Sequence, residues 1–261
     1  MTQATVSSGD NAANPDQIAE PVTVVPPGYA GADVARIIGA LFLCGFLTYG
    51  VGFALVSSVT SSTDFLATLP EHRTTLALGA VLMFLSTAVD VAKAVLFYPI
   101  LERHSKKTAL AYLSAMIVEV VLLSVGVLGL LALIPLSQHV TDGAGVGSDW
   151  KPTVAAVLLD WNAMSYQLGE IALACGAVVL CTLLYRTRLL PRFLAVWGLL
   201  GYLVLMTGAV SEVFGGHIGL ALSIPGGLWE ITLGLWLIFK GFTIQPGGID
   251  RLRHATDPTP A

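Results

Sequence analysis

Long apolar segments alternate with short polar segments along most of this chain. A helix needs about 20 apolar residues to cross the hydrocarbon core of a bilayer, and six of the segments are long enough. None of them alternates apolar and polar residues with a period of two, as the strands of a membrane barrel do. The pattern therefore predicts an all-α protein, a polytopic six-helix transmembrane bundle. The predicted spans are residues 37–59, 75–101, 108–134, a span within 154–185, 193–214 and 218–239.

The segments outside the spans predict how the chain is organised. Residues 1–35 hold four acidic residues and no Lys or Arg, so we expect a disordered polar amino-terminal tail. The six-span membrane domain covers residues 36–242, and a polar carboxy-terminal tail covers residues 243–261. Ten Lys and Arg residues flank the spans on the side of the two tails, against two on the other side. Because cytoplasmic loops carry the excess of basic residues, both termini are predicted to be cytoplasmic.

The composition excludes several classes of protein. The 261 residues are 55% hydrophobic and only 11% charged, and the mean hydropathy is +0.77. Soluble domains have about 25% charged residues, so a soluble enzyme and a disordered chain are both excluded. A net charge of −4 provides no basic face for a nucleic acid. The partner that the composition indicates is the lipid bilayer.

Motifs for cofactor or nucleophile chemistry are absent from the sequence. It contains no glycine-rich phosphate loop, no HExxH zinc motif and no GxSxG nucleophile motif. The three cysteines lie within apolar runs, and their spacing indicates neither a disulfide framework nor a zinc site. We therefore predict no cofactor, and a protein without enzymatic activity is favoured over an enzyme.

Ionisable residues inside the spans are the candidate functional residues, because a charge in the bilayer core is costly. Counting about 1.5 Å per residue from the basic side places Asp90 about 15 Å deep, Glu119 about 16 Å and Glu230 about 15 Å. The same count places Glu170 near 22 Å, and Lys93 one turn from Asp90 on the same helix face. The candidate buried polar site is therefore Asp90, Lys93, Glu119, Glu170 and Glu230.

Two interpretations of these residues remain open. If the side chains converge, four carboxyls cannot all ionise beside one ammonium, and the cluster would suit a proton, a cation or an amine. Alternatively, Asp90 pairs with Lys93 and each Glu bonds locally, so that the acids only hold helices together. The last span also contains Pro225, Gly226 and Gly227, which should kink or break it, and interrupted helices often line binding sites.

Histidines on the other side of the membrane form a second candidate site. His72, His139 and His217 come one from each predicted outer loop, with Glu71, Asp142 and Glu212 nearby. Three histidines can bind a zinc ion that activates water, as in a metal-dependent hydrolase. The alternative is that all three are exposed loop residues, which the absence of a His-x₃₋₅-His spacing favours.

Three stretches carry a resemblance to a known family. The hairpin between the second and third spans reads LFYPIL at residues 96–101 and ALAY at residues 109–112. The link between the fourth and fifth spans reads LYRTRLLPRFLAVWG at residues 184–198, and the last span ends with GLWLIFKGF at residues 234–242. Together these resemble the DUF4386 family of bacterial six-span membrane proteins, over roughly residues 33–242. The resemblance implies the span count, the topology and the cytoplasmic membrane of a bacterium, and it implies no activity.

Three functions are consistent with the sequence. The first is binding or carrying a small molecule, proton or cation at the buried acidic residues. The second is a structural or regulatory role in which the protein contacts another membrane protein and has no ligand. The third is an intramembrane hydrolase that uses the outer histidines. Six spans are few for a transporter, so transport would favour a homodimer.

Overall fold

The computed structural model describes residues 31–141 and 150–243. Within those ranges the chain forms six α-helices and no strands, and all six helices are long and apolar enough to cross a membrane. The prediction of an all-α six-span bundle is confirmed. The helices are α1 Ala32–Thr60, α2 Phe65–Glu102, α3 Lys106–Thr141, α4 Lys151–Thr187, α5 Arg192–Val213 and α6 Gly219–Phe239.

The six helices form a ring. Each helix packs against its neighbours in the chain, and α6 packs against α1. Short links make successive helices antiparallel. Because the number of helices is even, the start of α1 and the end of α6 lie on the same side of the bundle. We call the side with Arg36, Lys240 and the links after α2 and α4 the basic end, and the other side the opposite end. That the basic end faces the cytoplasm stays a prediction.

Glycines set the distance between neighbouring helices. A Cβ atom on Gly52 of α1 would lie only 2.7 Å from the carbonyl oxygen of Gly79 of α2. A Cβ atom on Gly39 would lie 2.5 Å from the carbonyl oxygen of Gly234 of α6. In lipid the association of helices depends on close backbone packing, because lipid chains are as apolar as the helix surfaces. These glycines therefore allow α1 to pack tightly against both of its neighbours.

Two apolar clusters fill the bundle at different heights. The cluster toward the basic end has members from all six helices and includes Phe42, Phe97, Tyr112 and Phe242. The ring of Phe97 packs edge-on against the other three rings, with centroids 6.0 to 6.2 Å apart. The second cluster lies toward the opposite end, and its described members come only from α1 to α4. The α5–α6 hairpin is thus well packed at the basic end and less enclosed at the opposite end.

Several boundaries differ from the prediction. Helices α2, α3 and α4 have 38, 36 and 37 residues, so each continues beyond the apolar segment that predicted it. His72 therefore lies in α2 and not in a loop, and α3 extends to Thr141 through the start of the predicted outer loop. Apolar length predicts the part of a helix inside the bilayer, whereas the helix itself continues wherever its backbone hydrogen bonds do. The predicted tails and the rest of that loop lie in residues 1–30, 244–261 and 142–149, outside the described residues.

The sequence predicted a kink or a break in the last span, and the structure excludes the break. Helix α6 runs from Gly219 to Phe239 without interruption and includes Pro225. Proline lacks an N–H, so the carbonyl of Ala221 receives no hydrogen bond from that position. Transmembrane helices tolerate such a loss because neighbouring helices and local adjustments satisfy the freed group. An interrupted helix therefore no longer supports a binding site in this protein.

The glycine contacts can be tested with two substitutions on α1. Gly52→Ala should lower the free energy of unfolding by about 1–3 kcal/mol, because the added methyl group meets the backbone of α2. Gly50→Ala should leave it unchanged or raise it by up to about 1 kcal/mol, because no heavy atom lies within 4 Å of the new Cβ atom. Unfolding of the purified protein in mixed micelles measures both values. Equal effects of the two substitutions would contradict this packing.

Candidate functional site

A central cavity of about 380 Å³ lies between the helices, and all six helices contribute to its lining. Its lining includes every residue of the candidate buried polar site. Asp90 and Lys93 come from α2, Glu119 from α3, Glu170 from α4 and Glu230 from α6. The structure therefore brings all five predicted residues to one place.

The acidic residues lie at similar heights, and the predicted height of Glu170 needs correction. A Cβ atom on Gly169 would lie 3.6 Å from the carbonyl oxygen of Glu119, so α3 and α4 touch at this level. Glu170 is therefore beside Glu119 and not about 6 Å above it, as counting from the helix end suggested. The count assumed that the helices end at one height, whereas packing at Gly169 sets the relative position of α3 and α4.

Asp90 and Lys93 form an ion pair inside the bundle. The ammonium of Lys93 lies 2.5 Å from a carboxylate oxygen of Asp90, and both side chains are largely buried. The same ammonium lies 4.5 Å from the centroid of the Phe42 ring, where the face of the ring attracts a cation. Among the described residues that line the cavity, Lys93 is the only basic one. The local pairing that the sequence left open is therefore present for Asp90.

Tyrosines are the partners of two other acids, and sequence reasoning missed them. The hydroxyl of Tyr202 on α5 donates a 2.6 Å hydrogen bond to Glu230 on α6. Tyr166 lies one turn from Glu170 on α4, so its hydroxyl is a close neighbour of that carboxyl. The spacing of four residues could have revealed the second pair, because such residues are adjacent on a helix. Nothing in the sequence signals the first pair, which joins two helices.

Tyr166 also bridges the ring of helices. Its ring stacks on that of Tyr49 of α1, with centroids 5.5 Å apart and planes 21° apart. Both tyrosines line the cavity. A stack between α1 and α4 crosses the bundle, since these helices are not neighbours in the ring. The two tyrosines therefore give the cavity an aromatic wall beside its acidic residues.

Glu119 differs from the other three acids. Only 4% of this residue is exposed, and its buried Oε2 atom has no hydrogen-bond partner within residues 31–141 and 150–243. A buried polar atom without a partner costs about 1–3 kcal/mol, and more when it is charged. Because Glu119 lines the cavity, a donor bound there could supply the missing hydrogen bond. Glu119 is thus the acid of the cavity whose carboxyl group lacks a hydrogen bond among the described residues.

The histidine site receives no support from the described residues. His72 is exposed on α2, His217 is exposed in the link between α5 and α6, and the side chain of His139 lies outside the described residues, as does Asp142. Within the described ranges, no three His, Cys, Asp or Glu side chains are arranged to hold a metal ion. The carboxylate of Glu212 instead accepts a 2.7 Å hydrogen bond from the backbone N–H of Gly219, where a negative charge stabilises the start of α6.

These features define a class, a multi-pass membrane protein built as a six-helix ring around a polar cavity. Comparison with protein families then identifies the family. The family described as Domain of unknown function (DUF4386) matches residues 37–241, and the chain belongs to it. The resemblance found in the sequence is confirmed. No curated protein matches the chain, and no solved structure matches it.

The ion pair yields a prediction about stability. Lys93→Met should lower the free energy of unfolding by about 3–5 kcal/mol, because it leaves the carboxylate of Asp90 buried and unpaired. The double variant Asp90→Asn with Lys93→Met should recover much of that loss, because it removes both charges. Unfolding of the single and double variants in mixed micelles measures the coupling. A double variant that loses the sum of the two single losses would contradict a direct interaction.

Proposed function

We propose that this protein binds a small protonated amine in its central cavity, and that the carboxylate of Glu119 pairs with the ammonium group. The observation that carries this proposal concerns Glu119, a residue of the cavity lining whose buried Oε2 atom has no hydrogen-bond partner among the described residues. An ammonium group supplies both a positive charge and N–H donors, so it would compensate the carboxylate fully.

The balance of charge in the cavity supports a cationic ligand. Four carboxyl groups line it, and the only basic group among the described lining residues is already paired with Asp90. A volume of about 380 Å³ falls within the range of about 300–1,000 Å³ that small-molecule sites occupy. The aromatic wall of Tyr49 and Tyr166 also suits an organic cation, because ring faces attract ammonium groups.

An organic cation is favoured over a metal ion. The acids come from four helices around the cavity, and no three of the described ones are close enough to hold a metal. An ammonium group needs only one or two carboxylates, so Glu119 with a neighbour is sufficient. We place the protein in the cytoplasmic membrane of a bacterium with its basic end in the cytoplasm, which the distribution of Lys and Arg supports.

A purely structural role is the second candidate, because three acids have partners within the protein. Asp90 pairs with Lys93, Glu230 accepts a hydrogen bond from Tyr202, and Glu170 lies beside Tyr166. Such contacts hold helices together in lipid. This role leaves Glu119 unexplained, since a carboxyl that only joins helices would have its bonds satisfied by them. The two functions therefore differ in what Glu119 does.

Binding of n-butylammonium to the purified protein tests the proposal. Butylammonium should raise the melting temperature of the wild-type protein, while n-butanol, which has the same chain and no charge, should not. Glu119→Gln should weaken butylammonium binding by roughly 10- to 100-fold, because a hydrogen bond to a charged group is worth about 1.5–3 kcal/mol. The matched control is Glu71→Gln, an exposed acid outside the cavity, which should bind like the wild type.

The stability of Glu119→Gln distinguishes the ligand-binding function from the structural one. If Glu119 serves the ligand, Glu119→Gln without ligand should be as stable as the wild type or more stable, because a buried carboxylate has been removed. If Glu119 holds the bundle together, the variant should melt at a clearly lower temperature. Undiminished butylammonium binding by Glu119→Gln would refute the proposed function.

A further inference from the structure

One wall of the cavity is apolar and follows α6 toward the opposite end. It is formed by Leu220, Ile224, Gly227 and Ile231, which lie on one face of α6 because they are spaced three or four residues apart. Phe46 and Gly50 of α1 line the same part of the cavity. The cavity is therefore polar beside Glu119 and apolar along the α1–α6 side.

This apolar wall reaches the outer surface of the molecule. Leu220 is 82% exposed, Ile224 is 56% exposed and Phe46 is 48% exposed, although all three line the cavity. The apolar cluster that closes the bundle toward the opposite end has no described member from α5 or α6. The cavity thus opens sideways between α1 and α6. Toward the basic end the aromatic cluster around Phe97 closes it.

The opening lies within the membrane-spanning part of the bundle. Helices α5 and α6 have 22 and 21 residues, so each spans about 30 Å, the thickness of the hydrocarbon core. The exposed wall from Leu220 to Leu228 occupies the half of α6 toward the opposite end. In the bilayer this wall faces lipid chains. A ligand that passes through the opening therefore needs an apolar part.

We infer that the ligand is an amphiphilic amine with a single alkyl chain. Its ammonium group lies beside Glu119, and its chain leaves the cavity between α1 and α6 and enters the bilayer. The inference rests on the proposed function and adds the class of ligand and its route. A phospholipid with an amine headgroup fits less well, because its phosphate would lie close to four carboxyl groups.

Gly50 allows the opening to be filled without disturbing the helices. It lines the cavity, and a Cβ atom there would have no neighbouring heavy atom within 4 Å. Gly50→Trp therefore places a large side chain where the alkyl chain should pass. Leu47→Trp is the matched control, because Leu47 lies on the same helix, is 65% exposed and is not part of the lining.

The experiment compares n-dodecylammonium with n-butylammonium on protein in phosphatidylcholine nanodiscs. Dodecylammonium concentrations are expressed as moles of amine per mole of lipid. Partition of the amine into the bilayer then affects the apparent affinity of every variant equally. Gly50→Trp should weaken dodecylammonium binding by at least roughly tenfold, because the chain meets the new side chain. Binding of butylammonium, whose shorter chain extends less far along the cavity, should weaken clearly less than binding of dodecylammonium. A cooperative melting transition of the variant shows that it is folded. Leu47→Trp should change neither affinity.

The results distinguish this inference from the proposed function. Glu119→Gln should weaken binding of both amines; if it weakens neither, the proposed function and this inference both fail. If butylammonium binding depends on Glu119 but Gly50→Trp leaves dodecylammonium binding intact, only the route between α1 and α6 is overturned. Equal weakening of both amines by Gly50→Trp would also overturn it, because the side chain would then act on the cavity as a whole. An aminophospholipid that displaces dodecylammonium more strongly than phosphatidylcholine does would overturn the single-chain class.

Discussion

The structure depends on one constraint, that a carboxyl group inside a bilayer has no water to bind. Each buried acid must find a partner in the protein or in something that enters it. Lys93 pairs with Asp90, the hydroxyl of Tyr202 binds Glu230, and Tyr166 lies beside Glu170. One carboxyl oxygen of Glu119 has no partner in the part of the chain that the structure describes. The cavity that the ring of helices encloses lies beside this residue.

Most of the fold could be predicted because membrane spans are recognised by apolar length, a property of local sequence. The relative heights of Asp90, Glu119 and Glu230 could be estimated for the same reason, by counting residues. The height of Glu170 could not, because contact at Gly169 sets it and nothing local encodes that contact. The sequence also could not predict that α6 continues through Pro225, because the packing around a helix decides whether a proline interrupts it.

That the candidate residues share a cavity could only be proposed from the sequence. Apolar residues surround each helix almost uniformly, so the pattern does not reveal which face points inward. The two tyrosine–glutamate pairs differ in how far the sequence could predict them. Tyr166 and Glu170 share a helix and were within reach of a spacing argument, whereas Tyr202 and Glu230 meet only because α5 packs against α6. Long-range contacts of this kind need the folded chain.

The ring has six contacts between neighbouring helices but only five connecting links, because α1 and α6 are neighbours in the ring but not in the chain. Among the described residues, the α1–α6 seam is therefore held by side-by-side packing without a connecting link, with a close approach of Gly39 to Gly234. Every other pair is tied by a link of the chain at one end. If the bundle widens, α1 and α6 can separate without stretching a loop. The order of the helices in the chain therefore makes the α1–α6 contact the most compliant one in the ring. At the basic end Gly241 approaches Ala35 at this seam, and the N–H of Thr243 then donates a hydrogen bond to the carbonyl of Leu189, so the segment after α6 connects the seam to the link after α4.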